Sequence, residues 1–402
     1  MSFGAELTEL PLENLVQQSL GASSAEVSAT LGKSDLGLED FARLISPAAG
    51  RGQLLEELCA RSQALTQQRF GKVIRFFAPL YLSNECINNC KYCGFSRDNP
   101  ILRVTLSVEE VVREARALGV HGFRNILLVA GEHPKFVSVD YLAQCVSAVR
   151  PDMAGISLEV GPMGTAEYGR LAAAGAEGLV VYQETYDEGV YGRVHTAGPK
   201  RNFLWRLDTP ERAYAAGFRR LGIGALHGLG DWRRESFCLA AHARYLLRHC
   251  WKAQLTLSLP RLRPCAGGFE PLTRMEESDL AQLVCALRLL LPDAGLVLST
   301  REPARLRDGL VRLGITLISA GSHTEPGGYT GAGRQNLHQT RRGRMVGLPD
   351  KSLEAFSMDG GEARATYQFA IADERGAEEV AEAVRRLGYE PVWKDSDAAL
   401  TA

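Results

Sequence analysis

From residue 76 onward, short apolar runs alternate with amphipathic stretches along most of the chain. Eight of the runs have the length and composition of buried strands, and they span Phe76–Ser83, Asn125–Ala130, Ile156–Val160, Gly178–Tyr182, Arg220–Ala225, Gln254–Leu259, Leu296–Ser299 and Thr316–Ala320. Stretches with helical apolar spacing lie between most of them, at Val108–Leu118, Tyr141–Val149, Ala166–Ala174, Pro210–Ala216, Ser236–Cys250, Glu277–Leu291 and Ala304–Leu313. This alternation predicts a parallel sheet, and eight strands are the number that closes a (βα)8 barrel in about 250 residues.

The segments that flank this series have other patterns. Residues 1–75 carry helical apolar spacing and no recognisable chemistry, which predicts an N-terminal helical extension. Residues 325–402 begin with a Gly-rich polar stretch typical of a loop or lid, and continue with a predicted strand, Tyr367–Ala372, and a predicted helix, Ala377–Leu387. The predicted fold is therefore α/β, with a TIM-type (βα)8 barrel over residues 76–324 between the helical extension and a C-terminal α/β segment. An open doubly wound sheet is the alternative architecture.

Composition excludes several functional classes without identifying one. The chain has 402 residues, of which 45% are hydrophobic and 23% charged, and its formal net charge of −1 gives no basic field for nucleic acid. No run of about twenty apolar residues is present, so no membrane span is expected. The N-terminus has three glutamates and no basic residue before Lys33, unlike a secretory signal peptide. Nine scattered cysteines fit reduced thiols, so we expect a cytoplasmic protein.

Three of the cysteines stand in one short segment with a defined spacing. Cys86, Cys90 and Cys93 form a C-x3-C-x2-C pattern directly after the first predicted strand. Three thiolates on one loop can hold three corners of a [4Fe-4S] cluster and leave the fourth iron free for another ligand. An electron carrier or a structural zinc site would normally have four protein ligands. The alternative from another functional class is a non-catalytic iron–sulfur or zinc scaffold, which would need a fourth protein ligand.

Polar residues also stand where the other predicted strands end. A barrel enzyme builds its active site at the carboxyl ends of its strands. The residues at those ends are Gly131 and Glu132, Glu159, Gln183 and Glu184, Arg261 and Arg263, Arg301, and Ser319 to Ser322. We therefore expect these side chains to surround one cavity, next to the three cysteines.

Longer segments around these positions carry a resemblance to a known family. The cysteine motif, with Tyr92 before its last cysteine, resembles the signature of the radical S-adenosylmethionine (SAM) enzymes. Five further segments resemble the 2-iminoacetate synthases, which are the tyrosine lyases of thiamine thiazole biosynthesis: Leu80–Cys86, Tyr182–Tyr186, Pro260–Cys265, Ser299–Glu302 and Pro326–Tyr329. The segment Pro391–Asp395 also fits the end of that family's pattern, whereas residues 337–365 look longer and more basic than the family pattern.

The resemblance implies a set of binding residues. The [4Fe-4S] cluster would be held by Cys86, Cys90 and Cys93. S-adenosyl-L-methionine would bind the open iron and contact Tyr92, Gly131, Glu132, Glu159 and Arg206. The substrate carboxylate would lie against Arg301, because a guanidinium suits bidentate carboxylate binding. Further substrate contacts would come from Ser319, with Ser322 as its alternative, and from Gln183, Glu184 and Tyr186.

The activity implied by the resemblance is cleavage of the Cα–Cβ bond of L-tyrosine. A 5′-deoxyadenosyl radical would take hydrogen from the amino group, and fragmentation would give 2-iminoacetate (dehydroglycine), while the other half would leave as p-cresol after reduction and protonation. Reduced flavodoxin or a ferredoxin-type protein would donate electrons, and a complex with thiazole synthase would consume the labile product. A radical tryptophan lyase is the alternative within this chemistry. An enzyme that builds carbon monoxide and cyanide on a second cluster needs further cysteines, and none follows Cys285.

Overall fold

A closed barrel of parallel strands forms the centre of the computed structural model, which describes residues 2–341, 344–347 and 363–393. The barrel strands are β1 (Val73–Ser83), β2 (Asn125–Ala130), β3 (Gly155–Glu159), β4 (Gly178–Glu184), β5 (Arg220–Ala225), β6 (Gln254–Ser258), β7 (Gly295–Leu298) and β8 (Leu317–Ser319). Each strand pairs with the next in chain order, and β8 pairs with β1 through Arg75–Leu317 and Phe77–Ser319. The predicted (βα)8 barrel is confirmed, and the alternative of an open sheet is wrong because this last pairing closes the ring.

Helices form the outer layer around the barrel. Those that precede it are α1 (Phe3–Glu9), α2 (Leu12–Gly21), α3 (Ser24–Leu31), α4 (Leu38–Leu44) and α5 (Gly52–Phe70). Those within the barrel series are α6 (Val108–Val120), α7 (Val139–Val149), α8 (Thr165–Ala174), α9 (Glu188–Val194), α10 (Phe203–Leu207), α11 (Thr209–Ala215), α12 (Trp232–His249), α13 (Glu277–Leu290) and α14 (Ala304–Val311). One more, α15 (Ala377–Arg386), follows the barrel and confirms the predicted C-terminal helix. No helix of the described residues is long and apolar enough to cross a membrane.

The N-terminal helices pack on one side of the barrel's outer layer. Phe3 of α1 stacks on His242 of α12 with ring centroids 4.2 Å apart, and Phe41 of α4 meets Phe237 of α12 edge to face. The long helix α5 packs along α13. Buried apolar contacts of this kind supply most of the stability of short helices, which are marginal on their own in water.

The C-terminal segment reaches both ends of the barrel. At the amino ends of the strands, a short strand β9 (Glu390–Val392) pairs with the start of β1, and Trp393 packs edge-on against Phe76 and Phe123. At the carboxyl ends, residues 366–373 cross the loops that follow β6, β7 and β8. The predicted strand Tyr367–Ala372 is wrong. Its backbone is irregular because its N–H groups bond singly to different loops, such as Gln368 to Thr324 and Ala372 to Thr300.

A short hairpin lies near the carboxyl end of the barrel. Residues His338–Arg341 pair antiparallel with Arg344–Gly347, and the backbone of His338 exchanges hydrogen bonds with Arg103. Much of the stretch 337–365, which the sequence marked as unusually basic, lies outside the described residues, including positions 342–343 and 348–362.

Candidate active site

The three cysteines lie on the loop that follows β1, which we call the cysteine loop (residues 84–96). Cys90 is buried, and Cys86 and Cys93 are half-buried beside the apolar side chains of Tyr81 and Phe95. Burial raises the pKa of all three thiols, that of Cys93 to about 11. Across residues 2–341, 344–347 and 363–393, no three His, Cys, Asp or Glu side chains converge on a single metal ion. A cubane binds its thiolates on separate irons, so these sulfurs need not converge on one point.

Buried polar side chains hold the cysteine loop in shape. The guanidinium of Arg103 is fully buried and donates to the carbonyls of Asn84, Phe95 and Ser96 at 2.5, 3.1 and 2.8 Å. The carboxylate of Glu85 accepts from His338 and Thr340 of the hairpin at 2.7 and 2.5 Å. These contacts of Arg103 and Glu85 were not predicted from the sequence. Their one signal there is that Asn84 and Glu85 directly precede Cys86.

Two glycines allow other segments to approach the cysteine loop closely. A Cβ on Gly131 would stand 2.2 Å from the carbonyl oxygen of Glu85 and 3.1 Å from the Cβ of Cys86. A Cβ on Gly94 would stand 2.4 Å from the carbonyl oxygen of Tyr367. Because backbone atoms cannot move aside as a flexible side chain can, both positions require glycine. The end of β2 and residues 366–373 thus enclose the loop, and this enclosed set of three thiols fits a bound [4Fe-4S] cluster.

A chain of buried charges runs beside the cysteine loop. Lys200 donates to the carboxylate of Glu184 at 2.6 Å, and Arg206 lies 3.6 Å from the same oxygen and donates to the carbonyl of Tyr182 at 2.6 Å. Burial alone would raise the pKa of Glu184, but the charges of Lys200 and Arg206 hold it below its usual range. Among the described residues, Glu184 is also the one non-glycine with a positive φ, at 74°. Such strain persists where surrounding contacts fix the backbone, often at functional sites.

Asn88 connects this charged chain to the end of β2. The oxygen of its side-chain amide, Oδ1, accepts from the backbone N–H of Lys200 at 2.9 Å, and the nitrogen of the same amide, Nδ2, donates to the carboxylate of Glu132 at 2.6 Å. Carboxylates and cations therefore stand on the same side of the cysteine loop. The amino acid end of SAM carries both an ammonium and a carboxylate, so this arrangement suits it.

A cavity of about 690 Å³, with the solvent at its opening included, occupies the carboxyl-end half of the barrel. Its apolar lining comes from Phe77, Leu127, Val129, Val297 and Leu298, and its polar lining includes Tyr81, Glu159, Tyr182, Ser258, Arg301, Ser319, Ser322 and Gln368. The cavity therefore offers an apolar wall for a ring and separate polar groups at its side.

Arg301 is the cation of this cavity. Its guanidinium lies 3.4 Å from the centre of the Phe369 ring and forms no salt bridge within the described part of the chain. The hydroxyl of Ser322 is buried with no hydrogen-bond partner among those residues. Burial, followed by the nearby charge of Glu184, raises the pKa of Glu159 to about 7. An unpaired guanidinium and a free hydroxyl in one cavity suit a ligand that carries a carboxylate.

Family comparisons agree with this arrangement. The Radical SAM superfamily matches residues 80–240, and the Biotin and Thiamin Synthesis associated domain matches residues 258–390. The 2-iminoacetate synthase of Escherichia coli (strain K12) is 42% identical over 381 residues, which are 94% of this chain and 93% of that protein. The chain belongs to the 2-iminoacetate synthase family. The enzyme of the same name from Salmonella typhimurium (strain LT2) is 40% identical over 381 residues, with the same shares of the two chains.

Solved structures extend the family comparison to the fold. The [FeFe]-hydrogenase maturase HydG from Carboxydothermus hydrogenoformans superposes with a TM-score of 0.81 and 34% identity, covering 98% of this chain and 84% of that one. A second HydG structure gives a TM-score of 0.83 at 27% identity, covering 97% and 81%. The predicted radical SAM enzyme class, and with it the [4Fe-4S] cluster and SAM as cofactors, is confirmed.

Three of the predicted substrate contacts of this 2-iminoacetate synthase homologue do not line the cavity. The Tyr186 hydroxyl bonds to His242 at 2.9 Å among the helices outside the barrel, so its predicted cavity position is wrong. The Gln183 amide faces the carbonyl of Phe203 at 3.4 Å, and Glu184 belongs to the charged chain with Lys200. In each case the side chain bonds to a polar partner outside the cavity. The position of a residue at the end of a strand does not predict such a partner.

Tyr92 and Arg261 serve other contacts than the cavity. The Tyr92 hydroxyl shares a 2.6 Å hydrogen bond with Nε2 of His195, and its ring packs among Val190, Val194, Leu226 and Leu229. Burial lowers the pKa of His195 to about 3, so its ring is neutral and accepts from the phenol. This environment favours a packing role for the Tyr92 side chain over the predicted contact with SAM. Arg261 forms an ion pair with Glu302 and does not line the cavity.

Proposed function

We propose that this protein is a radical SAM lyase that cleaves the Cα–Cβ bond of L-tyrosine and releases 2-iminoacetate and p-cresol, with 5′-deoxyadenosine and methionine as co-products. The observation that carries the proposal is Arg301, a guanidinium without an ion-pair partner among the described residues, in a cavity with an apolar wall. An α-amino acid would bind this cation through its carboxylate. The phenol ring would then lie against the apolar wall that includes Phe77 and Leu127.

Each group of residues has a separate task in this reaction. When bound, the cluster and SAM supply a one-electron cleavage that yields a hydrogen-abstracting 5′-deoxyadenosyl radical. Cys86, Cys90 and Cys93 would hold the cluster, and Glu132, Glu159 and Arg206 would bind SAM. Arg301, with Ser319 or Ser322, fixes the substrate carboxylate and thereby the position of the amino group that loses hydrogen. Fixing that distance is the main contribution of the protein, and the enclosed cavity excludes water from reactive species.

The proposed reaction implies two partners. Because 2-iminoacetate hydrolyses readily, it would pass to thiazole synthase within a complex. Because the cleavage of SAM consumes an electron, reduced flavodoxin or a ferredoxin-type protein would act as the electron donor. Co-purification of the protein with thiazole synthase under anaerobic conditions tests the first partner. A turnover rate that is higher with a reduced flavodoxin or ferredoxin than with dithionite alone tests the second.

Anaerobic turnover tests the proposed reaction itself. Reconstituted protein is incubated with SAM, a reductant and L-tyrosine, and 5′-deoxyadenosine and p-cresol are scored together. Arg301→Gln is expected to form p-cresol much more slowly than the wild type. The matched control Arg263→Gln changes an arginine that bonds to the backbone carbonyl of Ala370 and should form it at the wild-type rate. A parallel incubation with L-tryptophan separates the two lyases. Cleavage of tryptophan but not of tyrosine would contradict the proposal.

A further inference from the structure

Gln368 lies between the cysteine loop and the substrate cavity. Its side-chain amide nitrogen stands 3.8 Å from Sγ of Cys93, within the range of a hydrogen bond to sulfur. Its amide oxygen accepts from the hydroxyl of Tyr81 at 2.7 Å. Both Gln368 and Tyr81 line the cavity. Gln368 is thus a polar link between the third cysteine and the cavity.

The orientation of this amide follows from its neighbour. A phenol carries its proton at neutral pH, and the hydroxyl of Tyr81 lies 2.7 Å from the amide oxygen of Gln368. The group that accepts this proton must be the oxygen of Gln368, which leaves the NH2 group toward the sulfur. Tyr81 therefore fixes which end of the amide faces Cys93.

The backbone around Gln368 is held from both sides. Its N–H donates to the carbonyl of Thr324 at 2.8 Å, and its carbonyl accepts from the N–H of Gly94 at 2.9 Å. A Cβ on Gly94 would stand 2.7 Å from that carbonyl oxygen, so the two segments approach too closely for any residue other than glycine at this position. The position of the Gln368 side chain is therefore set by the fold, and not by a mobile loop.

From this geometry we propose that Gln368 is a positioning residue that raises the reduction potential of the cluster. The inference rests on the proposed binding of the cluster by Cys86, Cys90 and Cys93. Reduction adds one negative charge to the cluster, and an N–H group aimed at a ligating sulfur stabilises that charge. Without this donor, the cluster holds its added electron less firmly.

The test is a redox titration of the reconstituted holoenzyme, monitored by electron paramagnetic resonance without substrate. Gln368→Leu removes the donor, and its cluster is expected to reduce at a more negative potential than that of the wild type. Tyr81→Phe leaves the amide but removes the group that orients it, so a smaller shift in the same direction is expected. Tyr367→Phe is the control, because it changes a half-exposed neighbour in the same segment and should leave the potential unchanged.

Iron and sulfide content distinguish a failure of the proposed cluster ligands from a failure of the proposed role of Gln368. A full complement of cluster in Cys93→Ala would overturn the assignment of the cysteines and, with it, the proposed role of Gln368. A full complement in Gln368→Leu with the wild-type potential would overturn the role of Gln368 alone. If Gln368→Leu loses iron, Tyr81→Phe decides: a shifted potential supports the proposal, and an unchanged potential overturns it.

Discussion

The two ends of the barrel carry similar residue types in different environments. At the amino ends, Arg220 and Glu177 form an ion pair whose side chains remain 22% and 41% exposed, beside a cavity of about 760 Å³. At the carboxyl ends, Lys200 and Glu184 form a pair that is only 13% and 10% exposed. A partly exposed pair contributes less because water screens it, whereas buried charges interact strongly and are costly to separate.

The same contrast holds for how each end is closed. At the amino end, Trp393 of the C-terminal segment makes apolar contacts with Phe76 and Phe123. The carboxyl end is crossed by residues 366–373, which bond to several loops and to the cysteine loop through polar groups. The Lys200–Glu184 pair and the hydrogen bonds of residues 366–373 thus place desolvated charge and directional contacts at the end where the proposed chemistry takes place. Arginines and carboxylates alone do not mark a site; their burial and their partners do.

The largest expected difference between the ends is in stability. Glu184→Gln leaves Lys200 and Arg206 buried without their counter-ion, so the free energy of unfolding should fall by about 3–5 kcal/mol. At the amino end, Glu177→Gln should lower it by about 0–1 kcal/mol. Urea denaturation of both variants measures the two values. An equal decrease in the free energy of unfolding of both variants would mean that the two ion pairs contribute equally to stability.

The next effect concerns catalysis and depends on Arg301. Arg301→Gln should lower kcat/KM for L-tyrosine by about 2–3 kcal/mol of transition-state binding, or roughly 30- to 150-fold, because a charged hydrogen bond to the carboxylate is lost. Arg220→Gln removes an arginine from the opposite end and should leave kcat/KM within about twofold. Steady-state formation of p-cresol under anaerobic conditions measures both. A comparable loss in Arg220→Gln would mean that the amino end takes part in substrate binding.

The order of elements and the main chemistry could be predicted from the sequence because both follow local rules. Strand and helix periodicity predicted the barrel, and the spacing of Cys86, Cys90 and Cys93 predicted a cluster site on the cysteine loop. Contacts between residues distant in the chain could not be predicted this way. Tyr186 follows β4 but turns outward to His242, and Gln368 reaches Cys93 across 275 positions. Periodicity carries no information about such pairs.

A smaller effect is expected where backbone packing encloses the cysteine loop. Gly131→Ala places a Cβ against the carbonyl of Glu85 and should displace the cysteine loop. We expect the variant to bind less iron and its free energy of unfolding to fall by about 1–3 kcal/mol. Gly178→Ala at the amino end meets the hydroxyl of Ser157, which can rotate, and should keep the full iron content. Iron and sulfide analysis after reconstitution compares them. Full iron in Gly131→Ala would show that the loop tolerates displacement.

The smallest effect is a pH dependence that belongs to one end alone. Burial and the charge of Glu184 raise the pKa of Glu159 to about 7, and its ionised form would accept hydrogen bonds from the ribose hydroxyls of SAM more strongly than its protonated form. Because an acid is ionised above its pKa, SAM affinity should rise with pH, by up to roughly tenfold between pH 6 and 8. Glu159→Gln should bind SAM more weakly and without this dependence, whereas Glu177→Gln should retain the wild-type profile. Equilibrium binding of SAM to the reconstituted protein across this range measures the three profiles. A wild-type affinity that is flat with pH would mean that Glu159 does not contact the cofactor in its ionised form.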